Sequence, residues 1–399
     1  MAPKLTIEEV SVLQVEGTLP ARERPFQGQV APIDRYEADR AARRERPPED
    51  RPTRTKALYL TVRSAEGPTG CYGPIDEAAA FSVLHQLRPV VLGEDALAGA
   101  TAWDRMQRSD RHARHGYLKM GISALDNALW DLRGRAFDAP VFQLLGGPSR
   151  PSIPAYASTL GRSHEPREVE ASARELQEAG FAGQKWFFRH GPSDGIDGLE
   201  ANVALVARVR GALGSGPSAF FDAFSGWDVR YATAWAREAE QYGPGWLEEP
   251  LPPSQLVGYQ ELGRSVQVPL ATGEHFYDRF EVLPFLEAKV LSVLQVDPEW
   301  SGGVTELVRL CSLAEVFSVP VIPHGHGLHA ALHVIASQSP EVCPMAEYLV
   351  EVMPRRHCFE RRPPQPVGGS FKLPAGPGFG IDLDEERIER SREWRLPAA

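Results

Sequence analysis

The chain has little cysteine, no long apolar run and no excess of basic charge. Its four cysteines, Cys71, Cys311, Cys343 and Cys358, are scattered, with no close pair of the kind that holds zinc or serves redox exchange. A reducing, cytoplasmic setting is the simplest reading. The opening stretch "MAPKLTIEEVSVLQVEG" mixes acids into its first turns, so neither a signal peptide nor a membrane span is expected. A net charge of -10 gives no basic footprint for nucleic acid. With membrane and nucleic acid set aside as partners, the expected partner is a small molecule.

What is present is a rhythm. Asp222 in "FFDAF", Glu248 in "WLEEP" and Glu274 in "ATGEH" are 26 residues apart, each ending an apolar stretch. The rhythm continues through Asp297 in "VLQVDPEW", His324 in "VIPHGHG" and Glu347 in "PMAEYL", after 23, 27 and 23 residues. A βα unit takes about 20 to 30 residues, and in a parallel barrel the carboxyl ends of all strands share one mouth. Periodicity in sequence therefore predicts convergence in space.

A barrel takes about 250 residues, so 399 leave room for a smaller companion domain. Residues 4–15 and 57–63 read as strands of a small antiparallel sheet. The long, charged, proline-bearing segment between them reads as a lid in preference to disorder. "MGISALDNALWDLRGRAF" places Ile122, Leu125, Leu129 and Leu132 on one helical face. Eight barrel strands are expected, "SIPAYAS", "GQKWFF", "AFFDAF", "GWLEEP", "VPLATGE", "VLSVLQVD", "VPVIPHG" and "PMAEYL", separated by helices that end near glycine. The expected divisions are 1–150 for the cap, 151–350 for the barrel and 351–399 for a tail that packs back on the cap.

Any one of these carboxylates alone would be expected to pair with a surface arginine or lysine. Three in phase with a barrel repeat are hard to keep ionised at one mouth without a cation. An oxygen-only set suits a hard ion, Mg2+ above Mn2+. Asp297 and His324 can form a dyad, because a histidine held by a carboxylate accepts a proton and has its imidazolium stabilised. The stretch "HGHGLHAALH" also contains His326, His329 and His333. The position directly after "VIP" selects His324.

The ordered set "GISALDNALWDLRGRAFDAPVFQLLGG", "FFDAFSGW", "WLEEPLPP", "TGEHF", "QVDPEWSGGVTE", "VIPHG" and "AEYL" resembles the enolase superfamily, mandelate racemase subgroup. "KWFFRHGPSDG", "EEPLPPSQLVGYQEL", "SGGVTELV" and "PGFGIDLD" are most similar to acid-sugar dehydratases such as rhamnonate dehydratase. The resemblance implies an α/β fold, a barrel of the modified TIM type, (β/α)7β, under an α+β cap built from the N-terminal segment and the tail. It implies Asp222, Glu248 and Glu274 as Mg2+ ligands, Asp297 and His324 as the dyad, Glu347 as a hydrogen-bond partner of the enolised carboxylate, and a homo-oligomer. Glu249 is expected to be structural or to support the ligands. Lys185 matches the first of the subgroup's paired lysines and would neutralise the substrate carboxylate.

Where racemases of that subgroup carry the second lysine, this chain has Phe187. Racemisation needs a proton-transfer group on both faces of the carbanion, whereas one histidine can remove an α-proton and then protonate a departing hydroxyl. The expectation is a dehydratase that converts a sugar acid to a 2-keto-3-deoxy acid. The alternatives are an epimerase or cycloisomerase with Lys185 as base, and a silent ligand-binding barrel. Phe224 stands where relatives often have asparagine. His275, His190, Arg22 and Arg24 are further candidates for contact with substrate.

Overall fold

In the computed structural model, residues 4–43, 45–112 and 115–395 are described. Strand β1, Ile7–Leu19, buries Val10, Val12 and Val15 and pairs antiparallel with β2, Thr53–Ser64, which pairs with β3, Thr69–Ile75. Arg390–Glu393 returns to the free edge of β1. The buried face of this sheet is covered by α1, Gly116–Ala136. The approach is close at Gly70, where a Cβ would lie 2.3 Å from the carbonyl oxygen of Ala128.

Seven parallel strands follow: β4 (Ser152–Ser158), β5 (Gly183–Phe187), β6 (Ser218–Asp222), β7 (Trp246–Glu248), β8 (Leu270–Thr272), β9 (Val293–Leu294) and β10 (Ala346–Leu349). Their order is β9-β8-β7-β6-β5-β4-β10, with helices such as Pro166–Glu178 and Gly195–Leu213 between them. This is a mixed α/β fold with a curled parallel sheet under an N-terminal cap.

One expected strand is reduced. "VPVIPHG" contributes a single bridge, Val321 to Leu294, in place of a ladder. Pro320 and Pro323 bracket Val321 and Ile322, and proline has no N–H to give a neighbouring strand. On β4, Ser370–Lys372 adds an antiparallel strand.

The segment between β1 and β2 is folded. It contains a 3-10 turn at Pro32–Arg35, the helix Glu37–Arg43 and a ladder of Phe26–Gln27 with Glu45–Arg46. It is tied down where the barrel strands end: Gln27 N donates to the Gly161 carbonyl at 2.9 Å and Val30 N to that of Phe188 at 2.8 Å. Among the described residues no helix is long and apolar enough to cross a membrane.

Candidate active site

Inside the curled sheet, Tyr156, Phe220, Trp246, Val293 and Ile322, with Met345, form an apolar floor, and Phe220 and Trp246 stack at 3.4 Å. Two positions further along each segment stand Ser158, Asp222, Glu248, Gln295, His324 and Glu347. An extended chain returns to the same face at every second residue, so an apolar layer lies directly beneath a polar one. Strand register completes the alignment, since Asp222 pairs with Phe187 on one side and Glu248 on the other.

Lys185 is the centre of this layer. Fully buried, its Nζ lies 2.5 Å from Glu248 Oε1, 2.8 Å from Glu347 Oε1 and 3.3 Å from Asp222 Oδ2. Burial alone would lower its pKa, but Glu248 and then Glu347 hold it well above the ordinary lysine value. Lys185 is therefore a fixed cation. Glu248 also accepts from Gln295 Nε2 at 2.7 Å and Trp246 Nε1 at 3.0 Å. Glu347 accepts from Gly325 N at 2.9 Å, and Lys185 and then His324 hold its pKa at about 2 against burial.

His324 Nδ1 lies 2.9 Å from Asp297 Oδ2, and its Nε2 faces Glu274 Oε2 at 3.5 Å. Gly327 N also donates to Asp297 Oδ2, at 3.1 Å, which leaves Nδ1 as the protonated nitrogen of the dyad. Trp300 lies against the ring at 5.1 Å.

The weaker candidates divide. His275 belongs to the cluster: its Nδ1 is 3.0 Å from both oxygens of Glu249 and 3.5 Å from Glu274, and its ring stacks on Trp300. His190 does not. It contacts Asp194 at 3.7 Å and lines a cavity with His164, Arg189 and Arg208 beside the first two barrel helices. Arg22 lines the space between cap and barrel and lies 3.8 Å from Glu49, while Arg24 is exposed and borders a separate cavity with Phe26, Gly161 and Arg162.

Residues 168–387 match the enolase C-terminal domain-like family, and residues 51–146 the mandelate racemase/muconate lactonizing enzyme N-terminal domain. The chain belongs to the enolase superfamily. It is 34% identical over 347 residues to an L-rhamnonate dehydratase of Saccharopolyspora erythraea, covering 84% of this chain and 85% of that one. Its fold is similar to the rhamnonate dehydratase of Gibberella zeae complexed with Mg, with a TM-score of 0.84 at 24% identity over 97% and 96% of the two chains. A racemase of Streptomyces coelicolor A3(2) with bound magnesium gives a TM-score of 0.77 at 25% identity, over 96% and 98%.

The charge of this enolase-superfamily site fits a divalent cation. Burial lifts the carboxyls of Asp222, Glu248 and Glu274 to about 6, 8 and 7; Lys185 pulls the first two back and His324 the third, and neighbouring carboxylates raise all three again. An ion held by these oxygens would relieve that repulsion, and the donor chemistry is that of Mg2+. Near them, ligand atoms of Glu249, Glu274 and His275 lie within 4.8 Å of one another. Glu249 nevertheless works differently. Its two oxygens both lie 3.0 Å from His275 Nδ1, and against burial it holds that imidazole at about 9.

Phe224, at φ 44° in the turn after β6, donates its amide to Asp222 Oδ1 at 2.8 Å and sets its ring against His275. Reasoning from sequence passed over Glu299, Trp300 and Arg356 and ranked His326 behind His324. A signal was present for two of them, since "DPE" and "HGH" repeat an acid and a histidine at a spacing of two.

Proposed function

We propose that the chain is a Mg2+-dependent dehydratase of a sugar acid of the aldonate or aldarate type, rhamnonate-like in its relatives. The observation that carries this reading is the single base. His324 is oriented by Asp297, while the position of a second lysine is filled by Phe187, buried with its ring 5.3 Å from Lys185 Nζ. Lys185, locked among three carboxylates, has no lone pair to offer as a base. Mn2+ would satisfy the same oxygen donors.

Asp222, Glu248 and Glu274 would hold the ion, which supplies Lewis-acid stabilisation of a substrate carboxylate. Ion binding at Glu274 would also remove the strongest influence raising His324, whose pKa lies near 10 despite burial. That change favours the neutral imidazole, the form able to take the α-proton. Lys185 balances negative charge as an enediolate forms, and Glu347 lies on the same side. The lid anchored at Gly161 and Phe188 excludes water. The C3–O bond then breaks and the 3-hydroxyl, protonated as it departs, leaves as water, giving an enol that ketonises to the 2-keto-3-deoxy acid.

The test is incubation of the purified protein and Mg2+ with a panel of aldonic and aldaric acids that includes L-rhamnonate, followed by assay for 2-keto acids. Their formation supports the reading. Exchange of the α-proton with solvent in D2O, without loss of water from any acid, would replace it with an epimerase.

A further inference from the structure

The base dyad has a twin. Glu299 follows Asp297 by two residues and His326 follows His324 by two, and both pairs meet: His326 Nδ1 is 2.8 Å from Glu299 Oε2, beside the 2.9 Å contact of His324 with Asp297. The two imidazoles are nearly parallel, 9° apart with centroids separated by 6.3 Å, and Trp300 lies 5.1 Å from each. The second pair is looser, because Glu299 lies off the N–H direction and leaves Nδ1 without an aligned hydrogen bond. Glu299 is itself held by Tyr72 of the cap at 3.1 Å and by Arg356 at 2.7 Å, and its amide donates to Asp297 at 2.7 Å. A single network thus fixes both carboxylates.

His326 is also the more open of the two histidines, with a side chain 20% exposed against 10% for His324. It borders a cavity of about 580 Å³ between cap and barrel, into which Arg22, Arg355 and Arg356 also face. His324 does not line that cavity, so His326 is the member of the parallel pair that borders it. General acid and base groups each act within about 2.6–3.2 Å of a reacting atom, and rings with centroids 6.3 Å apart are close enough to serve adjacent substrate carbons.

We infer that His326 is the general acid that protonates the departing 3-hydroxyl, leaving His324 as the base alone. This rests on the dehydratase reading. His324 takes the α-proton and the C–H electron pair enters the enediolate. That pair then forms the C2–C3 double bond as the C3–O bond breaks, and the oxygen leaves with the bonding electrons and a proton from His326, as water. On ketonisation His324 returns its proton to C3, and His326 recovers one from the enol hydroxyl, directly or through solvent. The proton count closes.

The test compares wild type, His324→Asn and His326→Asn, each with Mg2+, on L-rhamnonate or another panel acid that the wild type dehydrates, and on the 3-deoxy-3-fluoro analogue of that acid. Fluoride leaves without needing a full proton, and NMR in D2O reports α-proton exchange separately. His326→Asn is expected to lose about 10²–10⁴-fold in dehydration while retaining exchange and fluoride elimination; His324→Asn is expected to lose all three. Dehydration by His326→Asn at the wild-type rate, or an equal loss on both substrates, overturns the acid role while leaving the dehydratase reading intact. A wild type that eliminates water from no acid overturns both.

Discussion

Lys185 Nζ and Glu248 Oε1 lie 2.5 Å apart at the centre of the curled sheet, both buried. The contact joins the second barrel strand to the fourth and sets one cation against a crowd of acids. Removing one partner of a buried pair costs about 3–5 kcal/mol, because the other charge is left uncompensated. Lys185→Met is therefore expected to lower the unfolding free energy at pH 7 by that order, read as a lower urea midpoint, and Mg2+ to restore part of it. An unchanged midpoint in Mg2+-free buffer would show that the acids do not depend on Lys185.

A resident cation should also be visible as stability. A ligand that binds only the folded chain at 100 times its Kd adds about 2.7 kcal/mol. Mg2+ is expected to raise the Tm of the wild type and to leave that of Asp222→Asn almost unmoved. EDTA should abolish turnover reversibly. An equal rise in both proteins would move the ion away from Asp222.

The rhythm of the barrel was readable because each βα unit spends similar numbers of residues, so Asp222, Glu248 and Glu274 announce their shared address at intervals of 26. Alternation within a strand was equally legible, and it set Lys185 and Phe187 on one face. What sequence hid was choice among equals. "WLEEP" offers two glutamates that the rhythm does not separate; the resemblance names the first, and the chain geometry, with Glu249 at φ 38°, turns the second towards His275 and leaves the first facing Lys185. Long-range closure was hidden too, since Tyr72 and Arg356 reach Glu299 from 227 and 57 residues away.

The lid depends on a glycine. At Gly161, φ is 94° and a Cβ would lie 2.4 Å from the Phe26 ring. Gly161→Ala combines a strained backbone with a collision, and the strain alone costs about 1–3 kcal/mol. The expected result is a lifted lid, with KM for the sugar acid raised about tenfold, equivalent to about 1.4 kcal/mol, and a smaller change in kcat. Phe26→Ala in the same chain should recover part of the KM by removing the collision. If Gly161→Ala keeps the wild-type KM, the lid takes no part in binding.

Away from the mouth, His329 Nε2 and His357 Nδ1 contact opposite oxygens of Glu360, at 2.8 and 2.7 Å, and the Tyr59 hydroxyl donates to the same carboxylate at 3.4 Å. The cluster joins a barrel helix, the C-terminal segment and the cap. Burial would raise the Glu360 carboxyl, but His329 and then His357 hold it at about 2, below its ordinary 4.5. A carboxyl depressed in the folded state contributes stability that is fully present above its unfolded pKa and is lost as pH falls through the folded one. The window is therefore about pH 4.5 down to about 2, and the shift corresponds to roughly 3 kcal/mol. Glu360→Gln keeps the shape and removes the titration. Its unfolding free energy should be lower than that of wild type at pH 7, and the two should converge as pH falls through the window. Curves that stay parallel from pH 7 to pH 3 would show that the histidines do not depress Glu360.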